Sequence, residues 1–231
     1  MNSRTPERLV ALAPIILLFT LTSSAASLER HVLVQRKAPP NPELAEFIRK
    51  GWKDLEPQAV AWDRELAEKG FITAPDAVVQ QGRDHKVAIT TLTARLADIR
   101  NLGFVPVVLE GAEVSRASLV GIGGSAPAKD GRVHQIVRKY RHPELGDIFI
   151  DEYSFATDPD VTEYAVQKAR GNIYIHGDPA SVWPMRSPEG SERTNISYYT
   201  DSVMYSVDVY RTLPIGSSEL AVLEQFVQAL H

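Results

Sequence analysis

With 231 residues, 44% of them hydrophobic, the chain is long and apolar enough to bury a sizeable core. Its 25 basic and 29 acidic side chains leave a formal charge of −4, which gives no electrostatic reason to bind nucleic acid or anionic lipid. Cysteine is absent, which excludes disulfides and an acylated cysteine, so packing alone must hold the fold.

Residues 1–26 read as a signal peptide. Arg4 and Arg8 supply positive charge, Leu9 to Leu21 is an apolar run interrupted by Pro14, and Ser24-Ala25-Ala26 offers small residues for cleavage near Ala26. A bilayer core needs roughly 20 apolar residues in a helix, so this run is too short for a stable span. An uncleaved anchor and a buried helix are the alternatives, whereas the separation of Arg4 from Arg8 gives twin-arginine export no support. Cleavage would remove Arg4, Arg8 and Glu7, taking the basic and acidic counts from 25 and 29 to 23 and 28 and the charge from −4 to −5. The expected product is periplasmic or secreted.

Residues 27–42 form an extended lead-in, because the Ala38-Pro39-Pro40-Asn41-Pro42 cluster cannot be helical. Residues 43–88 are a helical segment and connecting loop. Leu44, Phe47, Ile48, Trp52 and Leu55 recur at helical spacing, Pro57 kinks or restarts the helix, and Ala59, Trp62 and Leu66 line up before Gly70. Trp52 and Trp62 fit core packing better than ligand stacking. Ile72 to Lys86 has no period and reads as loop.

Residues 89–231 read as an α+β domain. A helix is expected over Ile89 to Leu102, with Leu92, Leu96 and Ile99 on one face and Gly103 in the positive-φ position after it. Strands are expected at Val105 to Leu109, Val114 to Ile122, Arg132 to Arg141 and Asp147 to Phe155, the last two joined as a hairpin through His142 to Gly146. Asp158 to Arg170 is ambiguous. Gly171 to His176 is a strand, Ala180 to Trp183 a short one, and Thr194 to Tyr199 pairs with Val203 to Tyr210 across Thr200-Asp201-Ser202. Ser217 caps a final helix with Glu219 in its first turn and Leu220, Leu223, Phe226, Val227 and Leu230 as its apolar stripe. The fold class is therefore α+β: N-terminal helices, then an antiparallel sheet of about five to seven strands with the C-terminal helix packed on one face.

Three segments carry a resemblance: Phe104-Val105-Pro106-Val107-Val108-Leu109-Glu110-Gly111, the hairpin around Tyr140 and Ile148 to Tyr153, and a terminal block. The block runs from Ile173-Tyr174-Ile175-His176-Gly177-Asp178-Pro179-Ala180 through Asn195 to Tyr199 and Met204-Tyr205-Ser206-Val207 to Ser218-Glu219-Leu220. Together, over roughly residues 89–231, they resemble a β-rich extracytoplasmic domain of bacteria found in lipoproteins and in the outer portions of anti-sigma factors, similar in style to the C-terminal half of the sigma-E regulatory periplasmic proteins. The resemblance implies a non-catalytic domain that senses or binds something outside the cytoplasm, and it supplies no catalytic residues.

The reactive side chains point the same way. The six histidines, His31, His85, His134, His142, His176 and His231, form no zinc-ligand spacing, so neither a metal nor a cofactor is expected. His176 is the most suggestive, at a strand end beside Gly177-Asp178-Pro179, although a turn histidine bonded to nearby backbone explains it better. Gly121-Ile122-Gly123-Gly124-Ser125 lacks the ending of a phosphate loop and reads as a flexible hairpin loop. Asp151 and Glu152 point to opposite faces of a strand and cannot share one acid/base site, while Asp147, Asp151, Phe149 and Tyr153 fit a solvent-facing edge. Asn195-Ile196-Ser197 matches a glycosylation sequon.

Aromatic residues concentrate in the β half. Tyr199 and Tyr210, opposite in alternation to Tyr198 and Tyr205, together with Trp183 and His176 make the candidate binding surface, against the alternative of cross-strand pairs that only stabilise the sheet. The expected function is that of an exported, soluble, non-catalytic binding or regulatory protein of the cell envelope. Its partner would be a protein or a small envelope ligand, with no nucleic acid and no stable membrane span. The alternatives are an exported hydrolase with scattered catalytic residues, marked by a His176 or His134 within reach of a Ser and an Asp or Glu, and a periplasmic inhibitor or immunity protein.

Overall fold

The structure, a computed structural model, describes residues 32–36, 57–58, 60–81, 83, 95–159, 163–167, 173–176, 178–200 and 202–230. The expected signal peptide, the Leu44 to Leu55 helix and the first part of the Ile89 to Leu102 helix lie outside these residues.

The sheet is larger and less uniform than the sequence predicts. β1 (Val32–Arg36) pairs with β6 (Glu163–Gln167) as a separate two-stranded ribbon. The main sheet has eight strands. β2 (Ile72–Thr73), β8 (Asp178–Arg186), β9 (Glu192–Tyr199), β10 (Met204–Val209), β5 (Gly146–Tyr153), β4 (Gln135–His142) and β3 (Ser118–Gly124) lie in that order, and β7 (Ile173–Ile175) also pairs with β8. All pairs in it are antiparallel except β2 with β8, so the sheet is mixed and exceeds the expected five to seven strands. The extra parallel strand comes from the segment read as loop, where two residues pair through contacts that no local period encodes. That segment also holds the four-residue helix α2 (Asp76–Val79), after α1 over residues 60–69, so the described N-terminal helices are fewer than expected.

Two hairpins and the last helix follow the sequence reading because their signals are local. β4 and β5 run in register from Gln135 opposite Tyr153 to His142 opposite Gly146, and β9 and β10 from Tyr199 opposite Met204 to Thr194 opposite Val209. The final helix, α4 (Ser218–Val227), is capped by Ser217, whose Oγ accepts the Leu220 N–H at 3.2 Å. Leu220, Leu223, Phe226 and Val227 are buried against Ile148, Ile150, Val182, Ile196, Val207 and Val209 on the first face of the sheet. Each such side chain contributes roughly 1.5–3 kcal/mol of burial free energy, which makes this face the main core.

Between residues 95 and 124 tertiary contacts override local pattern. Only a 3-10 turn, Leu96–Asp98, stands in the described part of the expected helix, and the positive φ belongs to Asn101 at 57° rather than to Gly103. Residues 104–109 form a strap instead of a strand, joined to the C-terminus by the Leu109 to Leu230 bridge. Val114 lies in a short helix, α3 (Ala112–Arg116), and β3 begins only at Ser118. The glycines read as a flexible loop are paired instead: Gly121, Gly123 and Gly124 lie opposite Lys139, Val137 and Ile136. A Cβ on Gly124 would meet Val133 Cγ1 at 2.9 Å, so close packing rather than flexibility requires glycine there.

β8 runs past Trp183 to Arg186, although Pro184 breaks its pattern. Along its outer edge β8 pairs with β7 at residues 178–180 and with β2 at 185–186, so Pro184 falls between them, where no ladder bond on that edge is lost.

Candidate functional site

The second face of the sheet gathers the sequence-predicted aromatics. Trp183, Asn195, Asp208, Phe149 and Lys139 lie opposite one another in a single row across β8, β9, β10, β5 and β4, and side chains directly opposed in a ladder share a face. Tyr199 stands on the same face two pairs further along β9, and Tyr210 follows directly after β10. Strand alternation thus separates Tyr199 from the buried Tyr198 and Tyr205, which stack with centroids 4.6 Å apart in the core.

The four predicted residues do not form one patch. Trp183 meets Trp62 edge-on at 6.1 Å, and both half-buried rings pack against the buried cluster of Ile72, Ala74, Val79 and Met185 beneath α1, β2 and α2. Tyr199 is half-buried, and burial raises its phenol pKa. His176 is exposed, with φ 52°, at the turn into β8, a conformation that histidine tolerates better than most residues. Of the four, Tyr210 lines a cavity.

That cavity, of about 400 Å³, is bordered by Tyr210, Phe149, Val209, Leu145 and Gly146 and by the charged Arg83, Lys139, Asp147 and Arg211. Phe149 meets Tyr210 edge-on at 5.4 Å, the Arg83 guanidinium lies 4.9 Å from the Tyr210 ring centroid, and Lys139 Nζ lies 5.3 Å from that of Phe149. Asp147 holds Lys139 at 2.7 Å and Arg141 at 3.0 Å. Burial works to raise the Asp147 pKa, but its hydrogen bonds and attraction to these two cations outweigh that and lower it.

Beside the cavity the face is polar but closed. Asp208 Oδ1 accepts from Arg193 Nε at 2.6 Å and Asn195 Nδ2 at 2.9 Å, and Ser197 Oγ donates to Asn195 Oδ1 at 2.6 Å. Asp208, Asn195, Asp151 and Phe149 are buried, so the edge expected to face solvent does not. The burial of Asn195 also removes its sequon from reach. Glu152 projects to the opposite face from Asp151, as alternation requires.

On that first face Glu152 and Arg138 make a buried pair that sequence reasoning missed. Arg138 Nη2 lies 2.8 Å from Glu152 Oε1 and donates to the Val107 carbonyl at 2.6 Å, and the Val107 N–H donates to Glu152 Oε2 at 2.9 Å. The pair therefore ties the 104–109 strap to the sheet. Arg138 Nε and Glu152 Oε1 have no hydrogen bond of good geometry, so burial outweighs the neighbouring cation and pushes the Glu152 carboxyl up to about 7. A second cavity, of about 460 Å³, opens between this strap and Tyr205.

His134 has the surroundings that would mark a hydrolase only in part. Its Nε2 lies 3.1 Å from Asp130 Oδ2 and its Nδ1 2.8 Å from Thr157 Oγ1, while Ser154 Oγ reaches Thr157 Oγ1 at 2.8 Å and not the imidazole. The ring is buried in a slot that Gly103 leaves open, since a Cβ there would fall onto it. Neither cavity described above includes it. Among the described residues no three His, Asp or Glu gather where they could hold a metal ion, and no helix is long and apolar enough to cross a membrane.

No protein-family model, curated protein or solved structure matches the chain. The site must therefore be read from its own chemistry.

Proposed function

We propose that the chain is an exported, soluble, non-catalytic binding or regulatory protein of the bacterial cell envelope. In this reading residues 1–26 are a signal peptide, and the α+β part is related to the β-rich extracytoplasmic domains of lipoproteins and anti-sigma factors. One observation supports it above the rest: the second sheet face ends in a concave site with an aromatic floor and several cations, a surface suited to holding a ligand rather than to transforming one. The partner is a small envelope ligand or a protein segment that enters there.

Replacing Tyr199 and Tyr210 together with alanine should weaken capture of the partner from an envelope fraction by tenfold or more, the order expected when aromatic anchors are truncated. The far-UV spectrum should be unchanged, since both rings are only half-buried. Undiminished capture would overturn the assignment of this face.

The contact of His134 with Asp130 and Thr157 favours a second reading, an exported hydrolase with Thr157 as nucleophile. Fluorophosphonate labelling of Thr157, abolished by His134→Ala, would establish it, and absence of labelling would remove it.

A further inference from the structure

The lining of the Tyr210 cavity is unequal in charge. Arg83, Lys139 and Arg211 border it against the single carboxylate of Asp147, which is already shared between Lys139 and Arg141. The Arg211 guanidinium is turned partly to the backbone, donating to the Glu144 carbonyl at 2.8 Å, and its carboxylate neighbour Glu219 stands off at 3.8 Å with both side chains well exposed. An exposed pair at that distance neutralises little, so the cavity keeps an excess of positive charge. Beneath the cations lie the Phe149 and Tyr210 rings, and Leu145 and Val209, whose side chains belong to the core on the first face, complete the lining. A bare inorganic anion would leave those rings unused, and a neutral aromatic would leave the cations unused.

We propose that this cavity binds a small carboxylate carried on a flat apolar or aromatic body, with the ring against Phe149 and Tyr210 and the carboxylate held by Lys139 and Arg211. Guanidinium and ammonium donors form charge-assisted hydrogen bonds with a carboxylate, and the volume of about 400 Å³ lies within the range of small-molecule sites. This assignment rests on the reading of the second face as the binding face, and it adds the chemical class of ligand.

The test is a titration of the isotope-labelled full chain, followed through backbone amide resonances at low salt, with benzoate as the probe. Benzamide, acetate and inorganic phosphate serve as comparisons. Benzoate should move the amides of Gly146, Phe149 and Tyr210 saturably, and bind at least about fivefold more tightly than benzamide, which lacks the charge-assisted contact, and than acetate, which lacks the ring. Arg211→Gln and, separately, Lys139→Gln should each weaken benzoate by a similar factor and leave benzamide unchanged. Two substitutions on different elements keep the test valid if one of them disturbs folding. Equal binding of benzoate and benzamide, phosphate binding as tightly as benzoate, or no movement of these amides would each overturn the assignment. Any of these results alongside Tyr199- and Tyr210-dependent capture would remove the ligand class and leave the binding face standing.

Discussion

Replacing Arg138 with methionine should destabilise the protein by about 3–5 kcal/mol at pH 8 and by about 1 kcal/mol less at pH 5, because removing one partner of a buried ion pair strands the other. At pH 8 the partner is the Glu152 carboxylate, fully buried and left with the Val107 N–H as its remaining hydrogen-bond donor. At pH 5 Glu152, with a carboxyl pushed up to about 7, is protonated, and the same substitution removes a buried cation that lacks a charged partner. Glu152→Gln should behave oppositely: it changes little near pH 4, where Glu152 is already neutral, and gains on the wild type as pH rises, because the variant has no carboxyl that folding keeps protonated. The double variant, neutral at both positions, should recover most of the loss, and urea unfolding from pH 4 to 8 measures all three.

The wild-type curve carries the sign of this pair. A carboxyl whose folded pKa lies above its unfolded value of 4.5 binds its proton more tightly when folded, so its contribution is complete below pH 4.5 and is lost as pH rises through about 7. Its ceiling is about 3 kcal/mol, from the size of the shift. Asp76, Asp130, Asp147 and Glu144, all with lowered pKa values, act in the opposite sense and lose their contribution as pH falls below the ordinary carboxylate range. Stability should therefore peak between these windows in the wild type and flatten above pH 4.5 in Glu152→Gln.

Phe226→Ala should cost about 3–5 kcal/mol, the usual loss for truncating a fully buried aromatic. Phe226 is inaccessible to solvent and joins α4 to the sheet through edge-on contacts with Tyr140 at 5.7 Å and His142 at 6.4 Å. Its neighbours Ile148 and Leu223 belong to paired strand and helix, so the cavity can collapse only in part. Gln225→Ala, one residue away on the exposed side of the same helix, should change stability by about 0.5 kcal/mol or less. Thermal or urea unfolding of both variants separates docking of the helix from its intrinsic propensity; equal effects would contradict the account of the core.

Elements with local signals were legible in the sequence. The alternation of Tyr205, Val207 and Val209, and the stripe from Leu220 to Val227 behind the Ser217 cap, carry their own burial pattern. Elements made by distant partners were not. Ile72–Thr73 becomes a strand only because Met185 and Arg186 lie beside it, and Gly121 to Gly124 only because β4 does. The candidate site divides in the same way. Alternation placed Tyr199 and Tyr210 on the face away from the core, but Trp183 pairs with Trp62 from the other end of the chain, and the cations around Tyr210 come from positions 83, 139 and 211. The pairing of Glu152 with Arg138 has no local signal, since nothing in the neighbouring sequence reveals that the Val107 backbone closes over them.

The central claim is that ligand enters the second sheet face beside Tyr210. Hydrogen exchange of the chain, alone and with an extract of the envelope proposed to hold its partner, tests it most directly. Exchange should slow in peptides spanning residues 143–149 and 208–213. Slowing confined to residues 104–110, at the strap, or to 130–134 and 154–158, around His134, would contradict it.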